Sequence, residues 1–276
     1  MMAVPSTTPR RRVDIEGVLL DRIDLADTMA RVTRSCETRR PLQIVTANLN
    51  FITLARRKGF FRQAINDAGL TVVDGRILLW ITRWLGEPAP EQITGHDLMR
   101  ECLALGRERG YRMFLLGGMP GVAAELAKTL ESRNPGLRVQ GMDGGRFTET
   151  GEAEQNSMIL TRIREFDPHF LFVALGAPKQ DVWISRNLAA ASPAVAVGVG
   201  GVFDTLVGRL PRAPRWMQLA GLESLYQLII EPRRYGRRYL LDDPPTLARI
   251  VGGIAMRHLR RLGSPRHDRG ADPNGH

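Results

Sequence analysis

Five short segments of this 276-residue chain set polar or cationic side chains beside glycines, directly after apolar runs. Thr46 and Asn48 follow Gln43-Ile44-Val45, where both can hydrogen-bond a sugar or nucleoside and Asn48 equally suits a helix cap. Asp74-Gly75 follows Leu70–Val73. A carboxylate leaving a buried strand there can serve as a general base, and Asp-Gly can equally make a turn. Gly117 and Gly118, in the run Leu115–Gly121, let backbone amides approach a phosphate at a helix start, or simply turn the chain. In Val173–Gln180, Gly176 and Pro178 force a sharp exit that presents Lys179, a point charge for phosphate, and Gln180, a bidentate partner for sugar or uracil. Gly200 and Gly201, in Val197–Asp204, allow close approach of a ligand or tight helix–sheet packing.

Absent patterns narrow the chemistry. The chain has no Asp-x-Asp to hold a metal on a nucleotide-sugar diphosphate, no Walker ending and no Gly-x-Gly-x-x-Gly. Hydrolase triads, His-Glu-x-x-His and cysteine clusters are missing as well, so no metal site is indicated.

These segments need a frame that brings strand ends together, and the apolar periodicity predicts one. Strands are expected at Val13–Leu19, Gln43–Thr46, Leu70–Val73, Arg112–Leu116, Leu137–Gly141, Phe170–Leu175 and Ala194–Val199. Helices are expected at Leu25–Glu37, Phe51–Ala68, Ile77–Leu85, His96–Arg109, Val122–Asn134, Glu152–Glu165 and Gln180–Ala190, with Asp24 as an N-cap and Gly110 as a stop. Such alternation reads as α/β, a Rossmann-like mostly parallel sheet with helices on both faces. In such sheets ligands bind outside the carboxyl ends of the strands, where all five segments fall.

Beyond Gly208 the pattern becomes helical and rich in proline and arginine, with candidate helices at Met217–Ile230 and Leu247–Leu262. The division is therefore a flexible N-terminus at 1–12, a catalytic domain at 13–208, a basic helical C-terminal appendage at 209–262 and a disordered tail at 263–276. The net charge is +10, and the segment from Arg209 onward holds thirteen arginines against six acids. A solvated tail, an anionic lipid surface and a diphosphate all fit that excess; nucleic acid is disfavoured, because no recognition motif accompanies it. Cys36 and Cys102 lack paired spacing, which fits a reducing compartment. The start of the chain has no apolar signal region, and the charge-free stretch Leu188–Phe203 is too short and too broken to span a bilayer.

Taken together, the segments resemble the WecG/TagA/CpsF glycosyltransferases (glycosyltransferase family 26) over roughly Ile44 to Tyr239. The matching stretches are T-A-N at 46–48, V-V-D-G at 72–75, T-G-H-D-L at 94–98, F-L-L-G-G at 114–118 and A-L-G-A-P-K-Q-D at 174–181. They continue with V-G-V-G-G-V-F-D at 197–204, R-A-P-R-W at 212–216, G-L-E at 221–223 and E-P-R-R-Y at 231–235. Their order and spacing are far more specific than any one of them.

The resemblance implies inverting transfer of a hexose or N-acetylhexosamine from a UDP-sugar to a polyprenyl-diphosphate-linked acceptor, in cell-surface or exopolysaccharide synthesis, without an obligatory metal or other cofactor. It assigns the catalytic carboxylate to Asp74 and substrate contacts to Thr46, Asn48 and Gln180. It implies a cytoplasmic protein, peripheral on the inner face of the membrane, whose basic appendage meets anionic lipid; homo-oligomer formation is left open. The chain departs from the family pattern at Gln92, where many members carry arginine, at Ser224 in place of tryptophan, and at Asp181 in place of glutamate. If that arginine stabilises the departing diphosphate, either another cation substitutes here, with Arg83, Arg212 and Arg215 as candidates, or the donor geometry differs. The rival readings are a nucleotide-sugar dehydrogenase or epimerase, which lacks its fingerprint here, and a non-catalytic membrane-associated scaffold of a polysaccharide assembly complex.

Overall fold

A computed structural model describes residues 10–211, 213–214, 216–217 and 223–262. The chain opens with a hairpin, β1 (Arg12–Ile15) and β2 (Val18–Asp21), then helix α1 (Leu25–Thr38). Next come β3 (Leu42–Ala47), α2 (Leu49–Arg57), α3 (Gly59–Asn66), β4 (Leu70–Val73), α4 (Arg76–Trp84) and α5 (Gly95–Arg109). After these run β5 (Met113–Gly117), α6 (Val122–Arg133), β6 (Val139–Met142), α7 (Asn156–Phe166), β7 (Phe170–Ala174), α8 (Lys179–Ala191), β8 (Val195–Gly198) and the short α9 (Val202–Leu206). The C-terminal segment holds α10 (Glu223–Ile230), α11 (Pro232–Arg237), a π-helical turn (Arg238–Asp242) and α12 (Asp243–Leu262).

Six strands form one parallel sheet in the order β4-β3-β8-β7-β5-β6. From β3 the chain moves outward to β4, whereas the later strands fill the other side of β3, so the topological switch lies between β3 and β8. Alternate strand residues feed opposite cores, as the period of two requires. Ile44, Met113, Leu115, Phe170, Phe172, Val195 and Val197 pack with α1, α5, α6 and α9. On the other face Val45 and Ala47 pack with α2, α3 and α4, and Phe114, Leu116, Leu171 and Val173 pack with α7 and α8. With both faces covered, the central strands can be apolar throughout, which is the expected Rossmann-like α/β arrangement.

Several expected elements change. The single strand at Val13–Leu19 is a hairpin outside the main sheet. Glu16 and Gly17 take positive φ (53° and 84°), and Asp14 Oδ1 accepts from Gly17 N at 2.7 Å. Two consecutive left-handed residues make the tight turn whose twist suits a hairpin. Asp21 ties that hairpin to the sheet edge by accepting from Thr71 N (2.8 Å) and from Arg10 and Arg12. The expected helix at Phe51–Ala68 breaks in two at Lys58, whose backbone is extended before Gly59. The helix expected from Glu152 begins at Asn156, because Gly151 turns at φ 77° and Phe147 bridges to Ala153. Helix α9 falls inside what reads as a glycine-rich strand exit. Helix α12 starts four residues before the expected Leu247, with Pro244 and Pro245 in a first turn that needs no N–H partner. The caps at Asp24, Asn48 and Gly110 are present as expected.

The C-terminal segment folds back over α2. Thr246 and Ile250 are buried, and Ile250 joins the core formed by α2, α3 and α4. Asp243 Oδ1 accepts from Thr53 Oγ1 at 2.9 Å, and Arg238 Nε lies 3.5 Å from Asp243 Oδ2. Burial pushes the Asp243 carboxyl up from its ordinary value, against the pull of Arg238 and the Thr53 hydrogen bond. No described helix is long and apolar enough to cross a membrane.

Candidate functional site

Two neighbouring cavities open at the carboxyl edge of the sheet. The first, about 430 Å³, is bordered by the ends of β3, β4, β7 and β8 and closed by the C-terminal segment. Thr46, Asn48, Asp74, Gly176, Gln180, Gly200 and Gly201 all line it. The second, about 330 Å³, lies on the β5 side and is lined by Gly118, Lys179 and Asp204 together with Gly176 and Gly200. Gly176 and Gly200 thus border both spaces. A side-chain carbon at Gly176, Gly200 or Gly201 would meet nothing within 4 Å, so at these three positions open space reaches the backbone itself.

Other glycines do different work. Gly117 (φ 95°) lines neither cavity. A Cβ there would stand 2.8 Å from Ala174 O, so its lack of a side chain lets β5 and β7 close up. Gly118 N donates to Ala174 O at 2.8 Å, holding its loop against β7.

Each polar residue is held by its strand end. Asp74 N donates to Ala47 O at 2.7 Å, extending the β3–β4 ladder by one residue and delivering the half-buried side chain into the first cavity. Gly75 follows at φ 112°, a conformation suited to glycine, and starts α4. Thr46 Oγ1 donates to Gly198 O at 3.2 Å across the switch point. That donor is spent within the protein, while the oxygen keeps acceptor capacity.

Gln180 is buried, and its Oε1 accepts from both Gly176 N (3.1 Å) and Gly200 N (3.0 Å). One side chain therefore pins together the two loops that separate the cavities. Its Nε2 packs on Gly198, 2.6 Å from where a Cβ would be. Lys179 lines the second cavity and makes no ion pair or hydrogen bond among the described residues.

Beneath Gln180 lies a residue whose placement the sequence did not reveal. Asp181 is fully buried, neither carboxylate oxygen has a hydrogen-bond partner, and Oδ1 packs against Gly198. Burial raises its carboxyl from 3.8 to about 7, opposed by the nearby Gln180 amide and its own backbone N–H.

Among the described residues, a cation reaches the polar cluster from an unexpected place. Arg238, on the π-helical turn, donates from Nη2 to Asn48 Oδ1 at 3.1 Å and lines the first cavity. Asn48 Oδ1 also accepts from Asn50 N (3.1 Å), so one oxygen caps α2 and anchors the C-terminal segment. Arg212 and Arg215 lie outside the described residues. Arg83 points outward on α4 and does not line either cavity. A run of four arginines between 233 and 238 carries no sequence signal to single out one that turns inward.

The T-G-H-D-L stretch builds the remaining wall. Thr94 and Asp97 form a reciprocal capping box on α5, and Gly95 lies against Val199 and Val202 too closely for a larger residue to fit freely. His96 Nε2 meets Thr205 Oγ1 at 2.7 Å, and both border the first cavity. The N-terminal ends of α2, α4, α5 and α8 all border the same cavity, and the partial positive charge of each favours an anionic ligand. Among the described residues no group of three or more His, Cys, Asp or Glu is arranged to hold a metal ion.

A parallel sheet with paired cavities at its switch point, ringed by helix N-termini and cationic side chains, defines an α/β protein whose site has a positive electrostatic bias. The chain belongs to the WecG/TagA/CpsF family of glycosyl transferases, whose model matches residues 13–260. It is 28% identical over 238 residues to the N-acetylglucosaminyldiphosphoundecaprenol N-acetyl-beta-D-mannosaminyltransferase of Staphylococcus aureus strain NCTC 8325 / PS 47, covering 86% of this chain and 91% of that one. The same identity and coverage hold for the enzyme of that name from strain MRSA252.

Proposed function

We propose that this chain transfers a hexose or N-acetylhexosamine, with inversion, from a UDP-sugar to a sugar carried on a polyprenyl diphosphate. The observation that carries the reading is the pair of cavities meeting at Gly176 and Gly200, with Asp74 in the first and Lys179 in the second. Donor and acceptor need separate spaces that share one boundary, and that boundary is where the anomeric carbon belongs. The relatives' name, with its diphosphoundecaprenol-linked sugar, supports the acceptor class.

In this mechanism the acceptor hydroxyl attacks the anomeric carbon from the face opposite the leaving group. Asp74 takes the hydroxyl proton as the new C–O bond forms. The bond from the anomeric carbon to the phosphate oxygen breaks, and UDP departs with the electron pair. Lys179 and the N-terminus of α8, beside the boundary that the cavities share, offset the charge that develops on it, and Arg238 adds positive potential from the first cavity. No metal has a part in this scheme. One base and no covalent intermediate suffice for inversion, and the membrane-bound acceptor places the protein at an anionic bilayer surface.

The test is UDP release by the purified protein from a panel of UDP-sugars, with a short-chain polyprenyl-diphosphate-sugar acceptor, with and without EDTA. Acceptor-dependent release that survives EDTA and falls roughly 10²–10⁴-fold in Asp74→Asn is the expected result. Equal rates for Asp74→Asn and the parent would remove Asp74 from the mechanism. UDP binding without any release would favour a scaffold.

A further inference from the structure

Helix α4 buries Leu78, Leu79, Ile81 and Thr82 in the core and turns a different set of residues outward. Trp80 and Trp84 are 42% and 49% exposed, four residues apart and hence on the same face. Arg83 is exposed beside them and Arg76 is partly exposed one turn earlier. Neither guanidinium group has an ion pair or hydrogen bond among the described residues, and α4 contains no acid. Two indoles exposed side by side leave apolar ring surface in water, and with two guanidinium groups beside them they mark a contact surface. Tryptophan is also the side chain that favours headgroup depth in a bilayer, where its apolar ring and its N–H are both accommodated.

We propose that this face of α4 rests on an anionic bilayer, as a membrane contact of the catalytic body itself and distinct from the C-terminal segment. The inference rests on the lipid-linked acceptor put forward above and adds the orientation that such an acceptor demands. Helix α4 begins one residue after Asp74-Gly75. At about 1.5 Å per residue, Trp80 and Trp84 lie on the order of 9 and 15 Å along the axis from the base. A polyprenyl chain stays in the hydrocarbon while only its diphosphate and sugar reach out to the cavity. The bilayer surface must therefore come close to Asp74, and α4, which starts beside that residue, carries the exposed Trp80 and Trp84. The unpaired Arg76 and Arg83 select an anionic surface over a neutral one.

Tryptophan fluorescence reads this contact without any turnover. The chain has four tryptophans; Trp183 is fully buried and Trp216 lies in the C-terminal segment. In Trp216→Phe the exposed signal comes from Trp80 and Trp84 alone. Vesicles of phosphatidylglycerol and brominated phosphatidylcholine should quench it, and the quenching should vanish when Trp80→Phe and Trp84→Phe are added. Vesicles of phosphatidylcholine alone, brominated to the same extent, should quench much less. Arg83→Gln should weaken partitioning about fivefold, the effect of one basic residue at an anionic surface. Trp80→Ser/Trp84→Ser should keep its turnover with a detergent-free, short-chain acceptor and lose it with acceptor embedded in anionic vesicles.

Vesicle co-sedimentation of Trp216→Phe without quenching would assign membrane contact to the C-terminal segment alone and overturn the proposal. A protein-concentration-dependent blue shift without vesicles would show that a second copy covers the face, and would overturn it too. Quenching with no UDP release from any donor would leave the bilayer contact standing and sink the transferase reading instead.

Discussion

Asp181→Asn offers the sharpest test of the packing beneath the site. The native carboxyl is buried without a hydrogen-bond partner and titrates at about 7 instead of 3.8. Between those values the native protein holds a proton that the unfolded chain has released. The contribution of Asp181 is therefore complete below pH 3.8 and is lost as pH rises to about 7, with little change beyond. From 3.8 to about 7, at about 1.4 kcal/mol per pH unit, the loss amounts to roughly 4 kcal/mol. Asparagine cannot ionise and removes this dependence. Leaving its amide donors unpaired costs about 1–3 kcal/mol, the same at every pH. The quantity to measure is thus a difference of differences: urea unfolding of parent and variant, each at pH 4 and pH 8. The variant should gain roughly 4 kcal/mol relative to the parent between the two conditions. Comparing the pair also cancels His169, which burial and the neighbouring Arg39 and Arg112 lower to about 4, so that its own contribution is lost as pH falls from 6.5. Parallel stability profiles for the two proteins would refute the reasoning and mean that Asp181 is already ionised or solvated.

Two further substitutions probe the site. Gly198→Ala would set a methyl group 2.6 Å from Gln180 Nε2 and 2.8 Å from Asp181 Oδ1, so a loss of about 1–3 kcal/mol is expected in chemical denaturation, and an unchanged midpoint would show that the contact yields freely. Arg238→Gln keeps some hydrogen-bonding capacity at Asn48 but loses the charge. Its turnover should fall at least tenfold while UDP-sugar binding changes less, and an unaltered kcat would mean that Arg238 only fastens the C-terminal segment.

What the sequence revealed follows its local signals. Strand Leu70–Val73 and the caps at Asp24, Asn48 and Gly110 are set by short-range patterns, so periodicity and capping chemistry place them correctly. The hairpin at Glu16-Gly17 escaped because it lacks the common Asn-Gly or Asp-Gly pair and relies on Asp14 to support the turn. At the site, the rule that ligands meet strand ends gathered Thr46, Asn48, Asp74 and Gln180 around one cavity. It could not reveal that Gln180 directs its carbonyl at two backbone amides, that Asp181 is buried unpaired, or that Arg238 turns inward. Those facts turn on contacts such as Gln180–Gly200 and Asn48–Arg238, 20 and 190 positions apart, which no local pattern records.

The Asn48–Arg238 hydrogen bond joins residues 190 positions apart, and that separation also sets an order of events during synthesis. The last strand of the sheet ends at Gly198, forty residues before Arg238 is made. At about 5–20 residues per second, a nascent chain holds every strand of its sheet for roughly 2–8 s before that arginine is made. During this interval Asp74 has its ladder partner but the first cavity lacks its C-terminal wall. Every strand of the scaffold is thus made before the arginine that anchors its closing segment.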